Sequence, residues 1–480
     1  MTADEWGRIF NAGAWAESPD VRWSGTWLPF HRYLLGLALM IKHELVWTPR
    51  IFTIIFGLLS LVSIYWFTVQ LFDNRMVGLV ATFLVSLNPV HGWLSSTALT
   101  EMPSSAMVMV GILGTLIYLR KRKLPIPLLS AFALLISNGL RYESWIFSLI
   151  FSLTIIITEL IGIRKGQQSP KRIIPAFLIA LIPWLLPITW MAGNYIERHD
   201  ALFFLNDMRS YKARYYGTVL DYSVYPKVLF SLDPIIAVTG LLAAGYTAVQ
   251  WPKKTTFWYL CTTLVPFALY VFLSGGQTEP KANYIRYLGP FLFLFYPLFS
   301  YMMIKVISSF NLKSQSMLLI IIAIICITYG GYLLDITFKF QNSPSAQGFT
   351  VGQKINEIRT KNPLLKGYAL VERRYWDFTA VQIGVADYRS VFFDSLVDRV
   401  SRKSVSYLTT DWQMVESCIK DKNISLLVFK DEKLQDLIVE RIGAQQIAVA
   451  GEYKLYTIPE YYREIIPEPK PDYECLLTNN

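Results

Sequence analysis

Ile51-Phe52-Thr53-Ile54-Ile55-Phe56-Gly57-Leu58-Leu59-Ser60-Leu61-Val62-Ser63-Ile64-Tyr65-Trp66-Phe67-Thr68-Val69-Gln70-Leu71 contains no ionisable side chain except Tyr65 and is bracketed by Arg50 and by Asp73-Asn74-Arg75. A helix of this length crosses a hydrocarbon core about 30 Å thick. The run is one of several. Apolar stretches near 50–71, 77–95, 105–119, 124–140, 144–162, 173–192, 231–250, 256–274, 287–304 and 316–334 read as ten membrane helices, while 33–41 is too short to span and reads as an interfacial segment. The chain is 53% hydrophobic and 15% aromatic, with a mean hydropathy of +0.36. Soluble domains approach that apolar share, but with short periodicities rather than runs near twenty residues. The expected fold class is an α-helical polytopic membrane protein with a soluble domain appended.

The net charge of +10 is unevenly spread. From Gln341 onward there are 18 Lys+Arg against 19 Asp+Glu, so the excess lies in the preceding 27 basic and 16 acidic residues. Alternate loops carry it: Arg75; Arg120, Lys121, Arg122 and Lys123; Arg164, Lys165, Lys171 and Arg172; Lys253 and Lys254; Lys305 and Lys313. That is 13 basic residues against one loop acid, Asp73, the pattern of cytoplasmic loops rather than of a nucleic-acid site. The mixed-sign segments 1–49, 96–104, 193–230 and 275–286 are then extracytoplasmic, as are Met1 and the tail.

The tail, 341–480, alternates helix-like stretches (351–361, 411–420, 432–442) with strand-like runs at Tyr368–Val371, Ser390–Phe393, Ile424–Phe429, Gln446–Ala450 and Lys454–Ile458, as in a small α/β domain. It has no Gly-rich phosphate loop and no metal-ligand spacing. Cys261 and Cys326 lie in apolar runs; Cys418 and Cys475 are free to pair only if the tail is outside, and the sequence does not decide whether they do. No cleavable signal peptide is present.

The N-terminal stretch opens with Thr2-Ala3-Asp4-Glu5-Trp6 and reaches Trp27-Leu28-Pro29-Phe30-His31-Arg32-Tyr33. Thr2-x-x-Glu5 fits a helix capping box, and two acids suit a helix N-terminus. The same carboxylates suit acid–base chemistry at a membrane surface. Charged residues also gather at the outer ends of membrane helices, where charge is costly and functional by default. They are Glu101 in Thr100-Glu101-Met102-Pro103, Arg141-Tyr142-Glu143 between two apolar runs, and Arg286 in Tyr284-Ile285-Arg286-Tyr287. The segment 193–230 adds Arg198, His199, Asp200, Arg209, Lys212 and Arg214. Each has a bland reading as helix stop, ion pair or interfacial anchor. Together they set acids and guanidinium groups on one side of the membrane, and an arginine fork holds phosphate bidentately.

With these residues in hand, the chain resembles the GT-C superfamily of membrane glycosyltransferases, nearest the protein O-mannosyltransferases and bacterial aminoarabinose transferases. The resemblance rests on Asp4-Glu5 in a first outer loop, the Pro-aromatic run Trp27–Tyr33, Pro49-Arg50 and Leu71–Arg75 around one helix, Leu140-Arg141-Tyr142-Glu143, and Arg286-Tyr287 with Pro290. It covers most of residues 1–340 and is thin over the tail.

The resemblance implies transfer of a sugar from a polyprenyl-phosphate donor to an acceptor hydroxyl outside the cytoplasm, with inversion. The acceptor is a protein, a glycolipid or a wall polymer; no nucleic acid is involved. Asp4 becomes the general base. Glu5 and Glu101 orient the acceptor or bind sugar hydroxyls, Arg141 and Arg286 hold the donor phosphate, and Tyr142, Glu143, Tyr287, Lys281 and His31 complete the candidate site. Some relatives use a divalent metal and others do not; this sequence offers no clear ligand set. The alternative is a transporter or flippase, or a non-catalytic binder, of a lipid-linked sugar phosphate. The family also places a membrane helix before the acidic pair, whereas Met1 lies three residues before Asp4. The expectation is a further helix encoded upstream, making eleven.

Overall fold

The structure is a computed structural model that describes residues 3–216, 286–287, 293–308, 344–362 and most of 367–460, with isolated residues elsewhere between 223 and 462. The chain divides into two compact units. One comprises 14–42 and 48–333; the other comprises 1–13, 43–47 and 334–480.

The first unit is helical. After α1 (Ala3–Glu17), which starts in the other unit, come α2 (Phe30–Ile41), α3 (Trp47–Phe72), α4 (Arg75–Leu87), α5 (Pro89–Ser96), α6 (Glu101–Lys121), α7 (Pro125–Asn138), α8 (Ser144–Arg164), α9 (Ile173–Leu181), α10 (Leu185–Arg198), α11 (Phe203–Tyr216) and α12 (Tyr296–Ser308). Among the described residues four helical stretches are long and apolar enough to cross a membrane: Trp47–Phe72, Glu101–Lys121, Ser144–Arg164 and Pro170–Arg198. A fifth counts if α4 and α5 form one span. The expected helices at 231–250, 256–274 and 316–334 lie outside the described residues, so the count of ten stands as an expectation.

Two spans differ from a plain helix for local reasons. The stretch 77–95 is broken into α4 and α5, bent by 66°. Asn88 precedes Pro89, and a residue before proline is pushed out of the α region; its backbone is extended, at φ −67° and ψ 124°. The Asn88 side chain accepts from the N–H groups of Val90 and His91 and donates to the Tyr296 hydroxyl at 2.6 Å. The stretch 124–140 is a 14-residue helix, α7, ending at Asn138. It packs closely on α6 because α6 is small there. A Cβ on Gly111 would fall 2.7 Å from Leu134, and one on Gly114 would fall 2.2 Å from the Ser130 hydroxyl. Small residues allow such approach where no hydrophobic drive separates helix from lipid. The core joins these helices through Phe67, Leu84, Met109, Leu134, Phe151 and Phe293.

At the basic end of α6 and α8, buried Glu159 accepts a hydrogen bond from the Tyr118 hydroxyl and is paired bidentately with Arg172, both at 3.0 Å. At the other end, the segment after α1 is pinned to α10 and α11. Ser24 donates to Glu197, Gly25 N–H to Asn194 at 2.9 Å and Thr26 to Asp207. Trp23 and Trp27 remain exposed there.

The second unit holds α13 (Pro344–Lys361), β1 (Tyr368–Val371), α14 (Phe378–Val385), β2 (Val391–Phe393), β3 (Ser395–Val397), β4 (Ser404–Ser406), α15 (Trp412–Asp421), β5 (Ile424–Phe429), α16 (Glu432–Ile442), β6 (Gln445–Ala450) and β7 (Tyr453–Thr457). The sheet order is β2-β1-β5-β7-β6, with the first three parallel and β7 antiparallel to both neighbours. All six residues of β5 are buried, as a central strand covered on both faces requires. The five strand-like runs of the sequence fall on the sheet; α14 and the β3–β4 hairpin were not read from it. Cys418 on α15 is buried and disulfide-bonded, while Cys475 lies outside the described residues.

Residues 3–13 of α1 belong to this unit. Trp6, Ile9 and Ala12 are fully buried, one helical face at i, i+3 and i+6. The Trp6 indole stacks on Phe349 of α13, centroids 5.1 Å apart and planes 14° apart. Thr2, the expected cap, lies outside the described residues.

Candidate active site

The turn joining α7 to α8 is short and heavily tied. Arg141 N–H donates to Ser137 O at 3.0 Å, and Phe30 N–H donates to Gly139 O at 3.0 Å. Fully buried Asn138 binds Pro183 O through its amide N–H and accepts from Ser148. A turn fixed at both ends holds the Arg141 side chain in one place.

That side chain is the hub of an ion cluster. Arg141 grips Glu143 bidentately, with Nη2 to Oε1 at 2.7 Å and Nε to Oε2 at 3.1 Å. Its Nη1 donates to Glu101 Oε1 at 2.8 Å and to the Thr100 hydroxyl at 3.3 Å. Arg286 reaches the same Glu101 oxygen from far along the chain, with Nε at 2.8 Å and Nη2 at 2.7 Å. The Tyr287 ring lies under the Arg141 guanidinium at 5.1 Å. Glu101 is the first residue of α6, where the helix dipole favours a carboxylate, and it is completely buried. Arg286 is also buried, while the side chains of Arg141 and Glu143 retain 13% and 23% of their exposure. Among the described residues the cluster is therefore charge-balanced, with its more open side at Arg141 and Glu143. Burial alone would lower the pKa of Arg141; Glu143 and then Glu101 outweigh it and raise the pKa above the ordinary arginine value. The guanidinium stays charged at any working pH.

A small cavity abuts this cluster. Arg141, Glu143, Tyr287, Ser104 and Ser105 line its polar side, and Met109 and Phe147 its apolar side.

The other sequence candidates divide. Tyr142 is a packing residue: its hydroxyl donates to Thr26 O at 2.9 Å and accepts from Trp190 Nε1 at 3.1 Å, and its ring stacks on Phe204 at 4.4 Å. His31 is buried on α2, edge-on to Phe52 of α3. Asp4 is half-buried and Glu5 fully buried in the first turn of α1, in the second unit. Lys281 lies outside the described residues. The sequence reading missed Thr100, whose hydroxyl lies within reach of both Arg141 and Glu101; its place one residue before Glu101 was the available signal. Among the described residues no group of three His, Cys, Asp or Glu side chains is placed to hold a metal ion.

No protein-family model matches the sequence, and no curated protein matches it. Solved structures do match the fold. ArnT from Cupriavidus metallidurans bound to undecaprenyl phosphate aligns with a TM-score of 0.62 at 10% identity, over 96% of this chain and 94% of that one. An Archaeoglobus fulgidus oligosaccharyltransferase in complex with Zn and sulfate aligns at 0.51 and 13% identity, over 91% and 65%. The archaeal oligosaccharyltransferase AglB, in complex with an inhibitory peptide and a dolichol-phosphate, aligns at 0.50 and 12% identity, over 95% and 70%. This chain thus spans about 65% of the first oligosaccharyltransferase's length. At such identities the likeness is one of fold.

Proposed function

We propose that this chain, which has the fold of the GT-C membrane glycosyltransferases, is itself a glycosyltransferase that moves a sugar from a polyprenyl-phosphate donor to an acceptor hydroxyl on the extracytoplasmic face. The observation that carries the reading is the pair Arg141 and Arg286 converging on one buried carboxylate oxygen from positions 145 residues apart. Two guanidinium groups fixed at a membrane helix end form a phosphate site, since each offers a planar fork of donors.

Glu101 holds both forks in register. Glu143, the more exposed partner, occupies the Arg141 fork that a donor phosphate would take. In the reaction the acceptor oxygen attacks the anomeric carbon and the carbon–oxygen bond to phosphate breaks. The polyprenyl phosphate leaves with the electron pair, and Asp4 takes the acceptor proton. Arg141 and Arg286 stabilise the charge growing on the leaving phosphate. Attack opposite the leaving group inverts the anomeric centre. Glu5, which lies between Asp4 and the anchored Trp6 in the same first turn, completes the acidic pair.

The test is Asp4→Asn in the purified chain reconstituted with lipid-linked donor. Transfer should fall by at least a hundredfold while donor binding persists. A chain that only moves or binds a lipid-linked sugar phosphate would tolerate Asn, and unchanged turnover would remove Asp4 as base.

A further inference from the structure

The second unit contains a cleft of about 480 Å³ that shares no residue with the arginine cluster. One wall is a single face of α13, where Phe349, Gln353, Asn356 and Thr360 recur at helical spacing. The opposite wall is the turn around His43 and Glu44, and α14 supplies the floor through Ile383 and Gly384.

Both walls are fixed by local chemistry. The Glu44 carboxylate accepts from the backbone N–H of Val46 at 3.0 Å and from that of Trp47. Helices α13 and α14 cross backbone to backbone: a Cβ on Gly352 would lie 2.2 Å from Val381 O, and one on Gly384 would lie 2.4 Å from Phe349 O.

The lining identifies the class of ligand. It combines the carboxamides of Gln353 and Asn356, the Thr360 hydroxyl, which donates to Asn356 O at 2.8 Å, and the His43 imidazole with the Phe349 ring, beside the charged Glu44, Glu357 and Lys361. Of the charged groups at the cleft, Glu357 pairs with Lys354 at 2.8 Å and with Lys361 at 2.6 Å, and the Glu44 carboxylate is held by two backbone N–H groups. Counting Lys354 with the lining, two carboxylates stand against two lysines, so among the described residues neither an anionic phosphate nor a cationic segment finds a surplus of opposite charge. An extended peptide recognised by strand addition needs a sheet edge, and the edge strands β2 and β6 contribute no lining residue. The size lies in the range of small-molecule sites, room for a few sugar rings. Phe349, in the wall, is also the ring on which Trp6 stacks, two residues from Asp4.

We propose that this cleft is an acceptor subsite for an uncharged, hydroxyl-rich glycan, an assignment that rests on the transferase reading. The full chain, purified in detergent, is applied to an array of neutral and acidic oligosaccharides and to a Ser/Thr-rich peptide. Binding of undecaprenyl phosphate is measured in parallel. Neutral oligosaccharides should bind, and Asn356→Leu combined with Thr360→Leu should weaken that binding more than tenfold while leaving undecaprenyl phosphate binding within twofold. The second measurement also reports that the variant is folded. Absence of neutral-glycan binding, equal binding by the variant, or use of the cleft by the peptide would overturn the assignment. Failure of undecaprenyl phosphate to bind the wild-type chain, with glycan binding intact, would instead sink the donor reading and leave the cleft standing.

Discussion

Glu101 and Glu143 touch the same guanidinium yet should behave oppositely when neutralised. Glu101 is fully buried and bridges two arginines, so Glu101→Ala removes a buried carboxylate shared by both, while Arg141 keeps only Glu143 as its carboxylate among the described residues. Breaking a buried pair in this way costs about 3–5 kcal/mol, read as a lowered Tm, and donor KM should rise. Glu143 is partly exposed and competes for the fork that phosphate would use. Glu143→Gln should therefore lower donor KM with little loss of stability; an increase in KM would show that Glu143 helps to hold the donor. Arg141→Ala and Arg286→Ala should lose transfer while the protein still inserts, and Arg→Lys should restore only part of it, because an ammonium lacks the planar fork. Full activity in both alanine variants would reduce them to anchors. The sequence made Glu101, Arg141, Glu143 and Arg286 visible one at a time, as charges at helix ends. Their meeting was not legible, because nothing local links position 286 to 101. Tyr142 and His31 looked the same in sequence, and only their packing against Thr26, Trp190 and Phe52 separates them from the cluster.

At the scale of elements, length and apolarity located the spans Trp47–Phe72, Glu101–Lys121 and Ser144–Arg164, because a helix in lipid must satisfy its own backbone. The bend at Asn88-Pro89 was written in the sequence as an extended residue before proline, but the apolar run across it hid the break. Asn88→Ala removes the cap of α5 and the bond to Tyr296 together, and a loss of about 1 kcal/mol or more is expected from the cap alone. A thermal melt identical to wild type would contradict that role. The α6–α7 contact depends on Gly111, so Gly111→Leu must push Leu134 aside. Overpacking of this kind costs about 1–3 kcal/mol and should also displace the Arg141 turn at the end of α7. Donor binding should fall with Tm; a lower Tm with unchanged donor binding would show that the turn is held by Asn138 and Phe30 instead.

On the scale of the whole molecule, the N-terminal segment is better held than its place in the sequence indicated. Burial of Trp6, Ile9 and Ala12 ties α1 into the second unit. Trp6→Ala should free the acidic pair, lowering kcat more than it lowers donor affinity. Tags at Met1 and Asn480 should both report an extracytoplasmic position, and a tag at Gln167-Gln168 a cytoplasmic one, as the loop charges require. Transfer of a polyprenyl-phosphate-linked sugar to an acceptor is the proposed activity. It is tested most directly by mass spectrometry of lipid-linked sugars and envelope glycans in cells with the gene, without it, and with Arg141→Ala in its place. The account requires one lipid-linked sugar to accumulate and one glycan modification to vanish in both the deletion and the Arg141→Ala strain. Unchanged lipid-linked sugars and glycans across all three strains would contradict it.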